Sequence, residues 1–194
     1  MKKFISILFT LFFVVGYSQN YADKKTYLVD SIELYILSPP ELDYLNTELD
    51  KFKKSDNDTL KLYTLSLIVE RIFEAQIWTK YNRLMLEMAE VGLQKEVNDS
   101  LKKVYLKYKA FATNNIGFYY DNTGRPDLAI KNFLAAQKIY EEIQNKAELA
   151  NIFNNMAHTY MNLGNYEKSI ELYQKSYDLR IELKDEDAIA NSLT

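Results

Sequence analysis

An all-α fold of antiparallel helix hairpins stacked into a solenoid is what this sequence predicts, and three observations predict it. Asn114-Asn115-Ile116-Gly117-Phe118-Tyr119-Tyr120-Asp121-Asn122-Thr123-Gly124 returns as Asn154-Asn155-Met156-Ala157-His158-Thr159-Tyr160-Met161-Asn162-Leu163-Gly164, a repeat of 40 residues. Ala129, Phe133 and Ala136 return at the same interval as Ser169, Tyr173 and Ser176. Only five Gly and three Pro stand among 194 residues, too few to punctuate many strands and turns. A fixed period of this length marks a chain of stacked supersecondary units, none of which buries its apolar face alone.

The spacing inside each unit resembles the tetratricopeptide repeat, whose helix–turn–helix pattern is W-x2-L-G-x2-Y, then A-x3-F, then P. Thr113-x2-Ile116-Gly117-x2-Tyr120 with Ala129-x3-Phe133 follows it once, and Phe153-x2-Met156-Ala157-x2-Tyr160 with Ser169-x3-Tyr173 follows it again. Thr113 and Phe153 replace the Trp, and Glu141 and Ile181 replace the closing Pro. Without that Pro nothing stops the second helix, which agrees with a period longer than the family's usual 34. The resemblance implies a right-handed superhelix. It also implies small residues at the helix crossings, Gly117 against Ala129 and Ala157 against Ser169. Tyr120, Phe133, Tyr160 and Tyr173 then fill the wedges beside them.

In chain order, residues 1–18 have the three parts of a secretory signal: Lys2-Lys3, an apolar run from Phe4 to Val15, and small residues Gly16 and Ser18 before a cut ahead of Gln19. The run is too short to span a bilayer, so the mature chain is expected in the periplasm or outside the cell. Residues 19–57 form N-terminal capping helices. Thr26–Leu37 is the first, and Ser38-Pro39-Pro40-Glu41 sets up a capping box for the second, whose stripe is Leu42, Leu45, Leu49 and Phe52. Residues 58–97 form a degenerate hairpin: Asp58 as N-cap, a helix Thr59–Phe73, a break at Glu74–Trp78, and a helix Thr79–Glu96. Trp78 and Tyr81 stand where later units have Tyr166 and Ser169, and their bulk predicts looser packing. Residues 100–145 and 146–185 are the two clear repeats. The first opens with a helix from Ser100 running unbroken into Asn122. Gly124 and Gly164 suit helix ends that need positive φ, and Pro126 suits the first turn of the next helix. Residues 186–194 open a further, truncated repeat, since Ala190-Asn191 repeats Ala150-Asn151.

Composition excludes several functions. A net charge of −3 offers no basic face for nucleic acid, and the absence of Cys removes disulfides and thiolate chemistry. One His, no Gly-rich phosphate loop and no paired catalytic acids leave no catalytic set, no metal centre and no cofactor site. Asp30-Ser31-Ile32, Asp58-Thr59-Leu60 and Asp99-Ser100-Leu101 resemble acceptor sites of a bacterial O-glycosylation system. Two of these three also have the form of helix N-termini.

The leading helices of such repeats line the concave surface, which makes Asn114, Asn115, Phe118, Asn122, Asn151, Asn154, Asn155, His158 and Asn162 the candidate peptide-groove residues. In the family, Asn at the places of Asn115 and Asn155 bonds an extended peptide's backbone, because an amide donates and accepts at once. The alternative is that these amides bond neighbouring helices or water. A peptide-binding role predicts that truncating Asn115 or Asn155 hardly affects folding. No Lys or Arg accompanies the ladder, so the family's clamp on terminal carboxylates has no counterpart. The resemblance therefore implies an exported, non-catalytic scaffold for a protein or peptide partner. A second implication is the periplasmic sensor region of a longer signalling protein, a histidine kinase or a helix-turn-helix regulator, of which this chain is a fragment.

Overall fold

The computed structural model describes residues 36–183, so the expected secretory signal, Asp30-Ser31-Ile32, nearly all of the expected helix Thr26–Leu37 and the expected start of a further repeat at 186–194 lie outside the described residues. Within that span the chain is helical: α1 (Pro39–Lys54), α2 (Asp58–Arg71), α3 (Ala75–Leu93), α4 (Asp99–Asn122), α5 (Pro126–Glu142), α6 (Lys146–Asn162) and α7 (Tyr166–Leu183). Each helix packs on the next, and α4 also touches α2 and α6. This is the all-α stack of hairpins that the period predicts.

Side-chain and backbone caps set the boundaries. Glu41 accepts from the backbone N–H of Ser38 at 2.9 Å and also from its hydroxyl, closing the expected box at the start of α1. Asp58 is not the cap of α2. Asn57 is, accepting from the N–H groups of Thr59 at 2.8 Å and Leu60 at 3.1 Å, and Asn98 does the same for α4 through Leu101 at 2.9 Å. Asp58 instead supplies first-turn negative charge, where the helix dipole favours it, and binds Lys95 at 2.9 Å. The break before α3 is shorter than expected. The helix begins at Ala75, because the N–H groups of Ile77 and Trp78 already return to the Glu74 carbonyl.

The turns after α4, α5 and α6 share one geometry. Arg125, Asn145 and Asn165 each donate a backbone N–H to a tyrosine carbonyl five residues back, Tyr120, Tyr140 and Tyr160, at 2.9 Å. Gly124, Gln144 and Gly164 occupy the left-handed position inside each turn, at φ 72°, 57° and 74°. This is the Schellman closure that ends a helix sharply and satisfies its last carbonyls.

Two apolar cores follow. One gathers α1, α2, α3 and the first half of α4 around Phe52, Leu65, Tyr81 and Tyr108; the other gathers α4 to α7 around Phe133, Tyr140, Ile152 and Met156. Tyr81 is only 1% exposed and Trp78 is buried, so their bulk is absorbed by close packing rather than loosening it. The small-residue crossings stand where expected. A Cβ on Gly117 would lie 2.6 Å from the Phe133 ring and 3.2 Å from the Ala129 carbonyl. At the next crossing the Ser169 hydroxyl donates to the Ala157 carbonyl at 2.8 Å.

Two stability tests follow from this packing. Ala129→Leu places three extra carbons at a fully buried crossing and should cost about 1–3 kcal/mol, read as a lowered Tm. Tyr140 is buried with a hydroxyl that has no hydrogen-bond partner, and burial pushes its pKa up. Tyr140→Phe removes that unsatisfied group and should leave Tm unchanged or raise it.

Candidate functional site

The candidate residues lie on α4 and α6, which the stack sets side by side. Positions 114, 118 and 122 on α4, and 154, 158 and 162 on α6, recur at four-residue spacing and so form one strip per helix. Phe118 is 50% exposed, and Asn122, His158 and Asn162 are exposed with it. Asn114, Asn115, Asn154 and Asn155 are half-buried where the helices meet.

The amides prove to be stitched to one another. Asn155 donates through Nδ2 to Asn114 Oδ1 at 3.0 Å, linking the leading helices of consecutive repeats. Asn115 donates to Asn82 Oδ1 at 3.0 Å, and the buried Asn82 donates in turn to the Ala112 carbonyl at 2.9 Å. Asn115 and Asn155 hold equivalent places in their repeats yet bond different helices, α3 and α4. The expectation that folding would ignore their loss is therefore corrected: each supports a helix–helix contact. One of the two amide hydrogens is committed in each case, and the rest of the amide stays available at the half-buried surface.

His158 and Asp121 form a second link between α4 and α6, with Nδ1 and Oδ2 3.1 Å apart and the carboxylate largely covered. The carboxylate places the ring proton on Nδ1. Asn162 Nδ2 lies 3.3 Å from the same nitrogen, which cannot accept while it donates to Asp121, so Asn162 abuts the ring without bonding it. Asn151 belongs elsewhere: its amide donates to Glu148 and its oxygen accepts from Arg180 Nη2 at 3.2 Å, joining α6 to α7. Asn122 and Asn154 make no side-chain hydrogen bond within the described residues. They, Asn162 and Phe118 are the candidates with no side-chain bond to a neighbouring helix within the described residues.

Three participants escaped the sequence reading. Asn82 sits on the buried face of α3 beside Tyr81 and Met85, and a lone amide in an apolar stripe was its signal. Asp121 meets His158 only through a contact 37 positions apart, for which the sequence has no local sign. Arg180 replaces Tyr140 at the 40-residue interval, and that exchange was its clue. No group of three His, Cys, Asp or Glu residues suited to a metal occurs among the described residues. None of the described helices is long and apolar enough to cross a membrane.

Against this geometry, family models described as tetratricopeptide repeat match residues 112–143 and 148–194. These two segments carry tetratricopeptide repeats. Such repeats generally mediate protein–protein interaction and are typically non-catalytic. Neither match reaches the hairpin at 58–97. No curated protein and no solved structure matches the chain.

The Asn82 network gives a direct test. Asn82→Ala removes a buried amide and leaves Asn115 without its partner, which should cost about 1–3 kcal/mol in denaturant unfolding.

Proposed function

We propose that this chain is an exported repeat scaffold that holds an extended peptide along α4 and α6. The observation that carries the reading is the composition of the strip: exposed Phe118, Asn122 and Asn162, with half-buried Asn154, present one ring and several amides, with no Lys or Arg among them. Amides match a peptide's alternating N–H and C=O groups, and Phe118 supplies apolar contact. The same strip is poorly suited to an acidic tail, because it carries no Lys or Arg and its His158 is already held by the Asp121 carboxylate.

Export rests on the Lys2-Lys3 start, the apolar run and the small residues before Gln19. The same groove would serve a second reading, the sensor region of a longer signalling protein, and the two readings differ only in what the groove reports to.

Phe118→Ala and Asn122→Ala separate binding from folding, since neither side chain supports a helix contact. Each should weaken capture of peptide partners from a random peptide display library by about fivefold or more, at unchanged Tm. Unchanged capture by both would remove the groove reading. In cell fractionation the mature protein should begin at Gln19 outside the cytoplasm; a cytoplasmic product retaining Met1 would remove export.

A further inference from the structure

Helix α4 is longer than its repeat requires. At the 40-residue interval Leu106 stands at the place of Lys146, where α6 begins, so residues 99–105 add two turns, about 10 Å, at the N-terminal end of α4. Those turns run past the α5–α6 turn, and an open-sided cleft of about 510 Å³ lies between the two. Lys103, Val104 and Lys107 line it from α4, residues 143–147 from the turn and the start of α6, and Leu183 from the end of α7.

The lining is apolar below and cationic at the edge. Val104, Ile143, Ala147 and Leu183 supply the apolar surface. Lys103, Lys107 and Lys146 are exposed, and no Asp or Glu lines the cleft. Lys146 binds Glu182, and Lys107 lies 5.5 Å from the Tyr108 ring centre with Glu70 close enough to act on it. Lys103 has no ion-pair partner among the described residues. Glu148 is turned to Asn151, and Asn145 is spent on capping α6 through the Glu148 N–H, which leaves Gln144 as the exposed amide of the turn. The first turn of α6 adds the positive end of its helix dipole.

Helical spacing makes this cleft one end of the groove. Lys103 and Lys107 fall on the same face of α4 as Asn114, Phe118 and Asn122, and Ala147 on the same face of α6 as Asn154 and His158. In the next repeat the places of Lys103 and Lys107 are held by Ile143 and Ala147, so the cationic end belongs to α4 alone. The amide strip has no Lys or Arg, and acidic side chains are therefore accommodated at one end of the groove and not along it.

We propose that this cleft takes Asp and Glu side chains at one end of the peptide held along α4 and α6. The inference rests on the groove reading. Three ammonium groups at the rim select for carboxylates, and the apolar surface beneath selects for an apolar neighbour beside them. The volume is within the range of small-ligand sites and suits a short run of residues rather than one side chain. Lys107 and Phe118 are 11 residues apart on one helix, about 16 Å, which an extended peptide spans in about five residues. The acidic run therefore stands about five residues from the side chain that meets Phe118.

Selection from a random peptide display library, sequenced after capture, tests this. The unaltered protein should enrich peptides with Asp or Glu about five residues from an aromatic or aliphatic residue. Lys103→Gln with Lys107→Gln changes two exposed side chains and should leave Tm unchanged. It should remove the acidic enrichment while peptides are still captured through Phe118 and the amides. One selected peptide and its counterpart with Asn and Gln for Asp and Glu give the magnitude. The counterpart should bind the unaltered protein about fivefold more weakly, and the double variant should not distinguish the two. Lys131→Gln, on the exposed face of α5 away from the cleft, should keep the acidic enrichment. Captured peptides without acidic enrichment, or enrichment that survives Lys103→Gln with Lys107→Gln, overturn the proposal and leave the groove reading standing. Failure of the unaltered protein to capture any peptide removes the groove reading, and this proposal with it.

Discussion

A backbone N–H reaching back five residues to a tyrosine carbonyl recurs at Tyr120, Tyr140 and Tyr160, and the rest of the repeat region is arranged by it. Because the closure occurs every 20 residues, the 40-residue repeat is two half-units of equal length. Helices α5 and α6 are each 17 residues long, and a three-residue turn follows each. Equal turns bring the small residues on either side of them to the same height. That alignment lets Gly117 meet Ala129 and Ala157 meet Ser169 at successive crossings. A residue added to either helix would rotate its apolar face by about 100° and misplace every wedge side chain beyond it. The turn, more than any single core contact, sets the spacing.

The turns are not chemically equivalent. Gly124 and Gly164 enter the left-handed region without a Cβ penalty, whereas Gln144 enters it with a full side chain, at a cost on the order of 1 kcal/mol. The strained turn is the one between hairpins, and Asn145 follows it directly as N-cap of α6, accepting from Glu148 N–H at 3.2 Å. Cap and turn share two adjacent residues there, and the cap offsets part of the strain.

Much of the fold was legible because local chemistry and long-range pattern agree. The period named the hairpins; Ser38 with Glu41, Pro126, Gly124 and Gly164 marked helix ends through bonds spanning three to five residues. The errors fell where neighbouring residues compete for one role. Asn57 and Asp58 can both cap a helix, and only the backbone course decides between them. Of the candidate site, the strip of positions was readable from helical spacing, but its bonding was not. Asn82 with Asn115, Asn114 with Asn155 and Asp121 with His158 are pairs more than 30 residues apart. Equivalent asparagines found different partners because α3 presents Asn82 where α5 presents Ile130.

Helix α4 belongs to both cores. Tyr105, Tyr108 and Ala112 face the N-terminal cluster, while Ala110 and Tyr120 face the C-terminal one. In a linear array each unit ordinarily answers to its nearest neighbours alone, and stability is passed along the row one interface at a time. A single 24-residue rod buried on both sides changes that arithmetic. Its N-terminal turns cannot fray without uncovering the first core, and its C-terminal turns cannot fray without uncovering the second. The described residues are thereby joined into one cooperative body across a junction where a row of independent hairpins would be free to part.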